Sequence, residues 1–158
     1  MLKSFDKILE PDPRFQSMAL TNHHEIVASI LLNGNPPDDV RKAFDRARNL
    51  MLYAYFDYDM LVNAEIQAFG AVELALRIKL NGSSQQTKQT LNPLIARARE
   101  AGFLPNKREG SLIEPVDFVA GMRNILSHGT TSIHTPHMTE DAIRNCSLVI
   151  DTLFPKVS

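Results

Sequence analysis

Val40, Phe44, Ala47, Met51 and Ala54 recur at spacings of 4, 3, 4 and 3. That rhythm lines them up on one side of an α-helix and is incompatible with the two-residue period of a strand. No stretch of useful length alternates apolar and polar residues in the way a half-buried strand requires. The chain is thereby confined to helical folds, and short connections favour antiparallel neighbours. The expected fold is all-α: an up-and-down antiparallel bundle of four to five main helices with a short N-terminal helical extension. At 158 residues the chain suits one such domain, spanning 22–158, preceded by an N-terminal arm over 1–21.

Start and stop signals divide the bundle. Asn22 and Glu25 form a capping pair for a first helix that Gly34 ends near Asn33. Pro36 and Pro37 open the second, and Phe56-Asp57-Tyr58-Asp59 reads as a turn. A third helix, about Asp59 to Leu80, carries Val62, Ile66, Phe69, Leu76 and Leu80 at helical spacing. The missing member of that series is Glu73, a carboxylate in an apolar stripe. Such conflicts mark functional or strained positions. Asn81 to Gln89 is a polar loop. Asn92-Pro93 starts a fourth helix that Gly102 ends, and Pro115 starts a fifth, with Val116, Val119, Met122 and Leu126 inward, that Gly129 ends. Thr130 to Pro136 reads as a loop, and Thr139 as the cap of a last helix stopped by Pro155.

Composition removes several classes. With 44% apolar and 22% charged residues the chain is neither disordered nor collagen-like. No apolar run approaches the roughly 20 residues that span a bilayer, so no membrane association is expected. The start, MLKSFDKILEPDPRF, meets charge and proline too early for a secretory leader. A single cysteine, Cys146, cannot form an internal disulfide, and the expected location is the cytoplasm. No glycine-rich phosphate loop occurs, which removes P-loop hydrolysis.

The net charge is only −1, yet it is unevenly spread. Arg77, Lys79, Lys88, Arg97, Arg99, Lys107 and Arg108 face one acid, Glu100, over 32 residues, a net of +6 that leaves −7 elsewhere. A local basic face of this kind can hold a phosphate backbone on a near-neutral protein. It also describes an ordinary solvated face. Arg77, Lys79, Arg97, Arg99, Lys107 and Arg108 are the candidates for holding such a backbone, with Arg97 and Arg99 foremost.

The second local conflict closes the fifth helix: Met122-Arg123-Asn124-Ile125-Leu126-Ser127-His128-Gly129. Five positions rotate two residues by about 140° on an ideal helix, so Arg123 and His128 would diverge in mid-helix. With Gly129 ending the helix, His128 stands at or near the C-cap and can turn back toward Arg123. Arginine offers a permanently charged planar fork for phosphate, and histidine a proton that moves near neutral pH. Two cations beside a glycine cap also complement the helix dipole, which is the structural alternative.

Arg123-Asn124-x-x-x-His128 resembles the signature of HEPN-domain proteins. Phe56-Asp57-Tyr58 leading into Ala71-Val72-Glu73-Leu74-Ala75-Leu76-Arg77 is similar to the helix facing the motif there. Leu91-Asn92-Pro93-Leu94-Ile95 through Ala101-Gly102-Phe103-Leu104 is similar to the preceding helix, so the resemblance covers roughly 36 to 154. It implies a metal-independent endoribonuclease, with no cofactor, whose site forms across a symmetric homodimer. Arg123 would stabilise the scissile phosphate, and His128 would act as general acid/base while the ribose 2′-OH attacks. Asn124 would orient the pair or bind the backbone, Glu73 would hold Arg123, and Gly121 would let a partner helix approach. Toxin and defence members imply a protein antitoxin or inhibitor as a further partner. Some toxins carry a tyrosine two positions after the histidine; Thr130 stands there, so that regulation is not implied. Other members bind RNA, nucleotides or proteins without cutting, and a non-catalytic helical module is the alternative function.

Other side chains have plainer readings. Glu73 can equally be a structural acid bonded to Tyr58 or another helix. His128, His134 and His137 lack the cysteines or spaced carboxylates of a zinc site, so no metal is expected. His23-His24 reads as solvent-facing, Cys146 as a small core residue, and Tyr53, Tyr55 and Tyr58 as packing around the turn.

Overall fold

The structure is a computed structural model that describes residues 2–83, 85, 88–107, 114–126 and 134–156, together with the helical backbone at Ser127. Among these residues the regular structure is entirely helical. Two 3-10 turns, Phe5–Lys7 and Pro13–Phe15, precede α1 (Leu20–Ser29), α2 (Asp38–Tyr53), α3 (Met60–Asn81), α4 (Leu91–Glu100), α5 (Pro115–Ser127) and α6 (Pro136–Leu153). The longest helix, α3, packs against α2, α4, α5 and α6. It is the element on which the remainder is arranged.

The stripe of α2 is buried as its spacing predicts: Val40, Phe44, Ala47, Met51 and Ala54 all lie in the core. Truncating a side chain of this kind, such as Phe44, to alanine costs about 3–5 kcal/mol. Val116, Val119 and Leu126 of α5 and Ala142, Ile143, Cys146, Val149, Ile150 and Leu153 of α6 join them. On α3 the buried face is partly rotated from the expected one. Phe69 and Leu76 are buried as expected and Leu61, Glu65, Ala68, Val72 and Ala75 also face inward, whereas Ile66 is exposed and Val62 and Leu80 are only partly buried. The physical cause is the run Ala64, Ala68, Ala71 and Ala75, whose small side chains permit close helix approach on that side.

Three boundaries also differ from expectation. Helix α1 begins at Leu20, so Asn22 is its exposed third residue rather than its cap. His23 and Val27 are the buried residues of this helix, and their packing outweighs a single capping bond. The helix stops at Ser29 because the chain beyond is captured by α6. Asp151 accepts from the Asn33 and Gly34 amides at 3.0 and 2.8 Å, and the Asn35 amide donates to the Phe154 carbonyl at 2.7 Å. A Cβ on Gly34 would run into that same carbonyl. Helix α6 begins one turn early: Thr135 caps it through the Met138 amide, Pro136 takes the first helical position, and Thr139 is buried inside.

The N-terminal segment has two parts. Residues 2–11 are exposed, whereas Asp12 and Phe15 are buried. Asp12 accepts from Arg14 Nε and Nη2, both at 2.8 Å, and from the Tyr58 amide at 3.3 Å. Arg14 lies 4.2 Å above the Tyr58 ring. These bonds hold the Asp12 carboxyl well below the usual carboxylate range, the Arg14 side chain being the largest cause.

Candidate functional site

Glu73 sits three residues before buried Leu76 and four after buried Phe69 on α3. Arg123 stands in the same relation to Leu126 and Val119 on α5. Each charge therefore occupies a place where its helix would otherwise present a core side chain, and each is answered by the other. Arg123 Nη2 lies 3.3 Å from Glu73 Oε1, with the side chains 30% and 20% exposed. The pair lines a groove of about 450 Å³ whose other walls are Ile66, Phe69 and Gly70 of α3 and Leu126 of α5. The apolar walls lower the local dielectric around the ion pair, while the open side leaves the arginine reachable.

Asn124, exposed beside Arg123, accepts a long hydrogen bond at 3.5 Å from Asn92 Nδ2 near the start of α4. This contact brings a third helix to the rim. His128 follows Arg123 by five positions and lies outside the described residues, as do Arg108, Gly129 and Thr130. Gly121 is exposed, with open space where a Cβ would stand.

The basic stretch is more occupied than its sequence implies. Arg99 donates to Asp117 and to the Pro105 carbonyl, each at 2.9 Å, and ties α4 to α5. Arg97 donates to Gln89 at 2.6 Å and Asn81 at 3.0 Å. Lys79 Nζ lies 4.9 and 5.2 Å from the ring centres of Phe103 and Phe154. Arg77 is half-buried, its Nε without a hydrogen-bond partner among the described residues. Lys107 is exposed. Arg97 and Arg99 thus have structural partners rather than a purely solvated role.

Among the described residues, polar groups of the interior that escaped the sequence reading include Glu65, His134, Thr139 and His23. Glu65, wholly buried on α3, meets His134 Nδ1 with both carboxyl oxygens at 3.0 and 2.8 Å and accepts from Thr139 Oγ1 at 2.7 Å. Burial pushes the Glu65 carboxyl up, against the opposing hydrogen bonds from Thr139 and His134. Burial likewise pushes the neighbouring Cys146 thiol up, with the Glu65 charge adding to it, so this cysteine is an inert core group. The fourth is His23, expected to face solvent. It is buried against Phe15 and Tyr55, its Nε2 sits 2.8 Å from the Met51 carbonyl oxygen, and burial lowers its pKa.

Of the other histidines, His137 is exposed beside Glu140 and Asp141. No group of three or more metal-ligating side chains gathers among the described residues. Tyr55 and Tyr58 pack in the core, and Tyr53 is exposed. No described helix is long and apolar enough to cross a membrane. Comparison with protein-family models, with curated proteins and with solved structures found no match to this chain.

Proposed function

We propose that this protein is an antiparallel, HEPN-like helical bundle that cleaves RNA as a homodimer without a metal or cofactor. The observation that carries the reading is the Arg123–Glu73 pair at the mouth of the α3–α5 groove. A carboxylate on a neighbouring helix holds the guanidinium by one edge and leaves other donors for a phosphate. In the proposed reaction the ribose 2′-oxygen attacks the adjacent phosphorus as His128 takes its proton, and the bond from phosphorus to the 5′-oxygen breaks. The departing oxygen receives a proton from the partner subunit's His128, and the products are a cyclic 2′,3′-phosphate and a 5′-hydroxyl. Arg123 stabilises the charge that builds on the phosphoryl oxygens. Asn124, set between Arg123 and the start of α4, orients the substrate backbone.

Exposed surface beside the groove supports the dimeric form. Ile66 and Gly70 on α3 and Gly121 and Ile125 on α5 lie open, and apolar side chains with gaps between them suit a two-fold contact. An enzyme that cuts RNA in the cytoplasm endangers its own cell, so a toxin or defence role calls for a protein inhibitor as partner.

The engagement of Lys79, Arg97 and Arg99 within the fold favours a second reading, a non-catalytic module that takes RNA, a nucleotide or a partner protein in the same groove. Total RNA incubated with the pure protein in EDTA separates the two. Cleavage by wild type, lost in Arg123→Ala and His128→Ala, is the expected result, and an intact RNA pool with wild type overturns the ribonuclease reading.

A further inference from the structure

Among the described residues, half of the large hydrophobic side chains that stand exposed gather around the N-terminal segment. Leu2, Phe5, Ile8 and Leu9 are 53–96% exposed, and Tyr53 and Leu20 are 57% and 41% exposed. The backbone that carries the first four is fastened to the bundle. Lys3 Nζ donates to the Glu10 and Phe56 carbonyls at 2.6 and 2.7 Å, Phe5–Lys7 forms a 3-10 turn, and the Asp12 amide donates to the Tyr55 carbonyl at 2.8 Å. Two hollows adjoin this segment. One, of about 520 Å³, lies between α1 and the end of α2 and is walled by Leu20, Leu52, Tyr53 and Phe56, with exposed Glu25 at its edge. The other, of about 600 Å³, is lined by Leu2, Ile8 and Leu9 and shares Tyr53 and Phe56 with the first. Neither shares a lining residue with the groove of Arg123.

We propose that a second copy of the chain docks on this surface about a two-fold axis, the Phe5 ring of each copy filling the α1–α2 hollow of the other. Three observations commit the surface to that occupant. A projecting ring, 91% exposed, and an apolar hollow stand on one surface, the self-complementary form that an isologous contact requires. Seated in the hollow, Phe5 brings the exposed Lys7, two residues on, within side-chain reach of Glu25, and the axis makes that pair twice. At roughly 150–200 Å² for a bulky side chain when fully exposed, the six residues offer about 600–800 Å², against about 800 Å² per partner in a standard stable interface. Fastening the segment beforehand also lowers the ordering cost of contact. A lipid surface fits less well, because Lys3, Asp6, Lys7 and Glu10 sum to zero charge and give no pull toward anionic headgroups. The inference stands apart from the ribonuclease reading. Its face, added to the α3–α5 contact, links dimers into a larger assembly.

The test is sedimentation velocity on the full chain in an Ile125→Glu background, which opposes pairing through α3 and α5. Samples run up to about 0.3 mM, a concentration that populates an interface of this size. The expected result is a reversible monomer–dimer equilibrium. Phe5→Glu, at a side chain 91% exposed in the monomer and so free of its fold, should weaken that equilibrium at least about a hundredfold. Lys7→Glu should weaken it about tenfold, and Lys7→Glu combined with Glu25→Lys should return it to within about twofold of the parent. An Ile125→Glu protein that stays monomeric, or self-association that Phe5→Glu leaves unchanged, overturns the inference. So does a monomer that binds mixed phosphatidylcholine–phosphatidylserine vesicles through Phe5, which assigns the patch to lipid. RNA cleavage is no part of the readout, so a protein that cuts no RNA defeats the ribonuclease reading and leaves this result standing.

Discussion

Arg123 and Glu73 meet at 3.3 Å across two helices, each at a stripe position flanked by buried apolar neighbours three and four residues away. Neither charge is fully desolvated, so the pair lies between the surface limit of about 0–1 kcal/mol and the buried limit of about 3–5 kcal/mol for loss of one partner. Arg123→Ala should therefore destabilise by about 1–2 kcal/mol in urea unfolding, chiefly by leaving Glu73 unanswered. A loss of cleavage of about 100-fold or more is expected from the same change. Arg123→Met combined with Glu73→Gln should recover stability but not cleavage. Recovery of both would show that the arginine acts only within the fold.

Arg99 and Lys107 separate two uses of positive charge. Arg99 is bonded to Asp117 and Pro105, with its side chain 18% exposed, whereas Lys107 is exposed. Arg99→Ala should cost about 1–2 kcal/mol, from the loss of charge-assisted bonds that join α4 to α5. Lys107→Ala should leave stability within about 0.5 kcal/mol. If RNA crosses this face, Lys107→Ala should also lower the slope of log affinity against log salt by about one. Filter binding over a salt series, paired with urea unfolding, measures both effects. Equal stability losses in the two variants would contradict the division.

Why some of this was legible in the sequence and some was not follows from particular residues. The α2 stripe was readable because its five apolar side chains are large enough, on average, to dominate the local pattern. On α3 the alanines carry most of the close packing but little hydrophobic weight, so the bulkier series through Val62, Ile66 and Leu80 gave a face rotated from the buried one. Glu73 was visible as a conflict within that series, and it does face a cation across the groove. Glu65 was not visible, because its partners lie 69 and 74 residues downstream and local periodicity carries no sign of them. Thr139 looked like a cap for the same reason. Its hydroxyl serves Glu65, and Thr135 caps instead.

Asp12 should set one acid limit of stability. Arg14 and the Arg14 and Tyr58 amides hold its folded pKa below the unfolded value of 3.8. The stabilisation is thus fully present above pH 3.8 and is lost as pH falls toward the folded pKa. Asp12→Asn should be less stable than wild type by about 1–2 kcal/mol at pH 7, since Arg14 is partly exposed and solvent screens part of the interaction. The difference should shrink steadily below about pH 4. Thermal unfolding of both proteins from pH 7 to pH 2.5 measures it, and a difference that stays constant to pH 2.5 contradicts the assignment.

His23 should set a second limit at higher pH, and the sign follows from its burial. The fold lowers its pKa below the ordinary 6.5, so the unfolded chain binds more protons than the native one just below that value. Stability from the neutral ring is therefore complete above pH 6.5 and declines as pH falls below it, the reverse of a histidine stabilised as a cation. His23→Gln keeps a donor for the Met51 carbonyl but loses the ring contacts with Phe15 and Tyr55. At pH 8 it should be less stable than wild type by about 1–3 kcal/mol. Between pH 7 and pH 5 the wild-type protein alone carries the titrating imidazole at this position, so the difference between the two should narrow. Urea unfolding at half-unit steps of pH reads this directly, and because every other ionisable group is common to both chains, their contributions cancel in the difference. A gap that widens on acidification would mean that the native state prefers the protonated ring, which the apolar surroundings of His23 forbid.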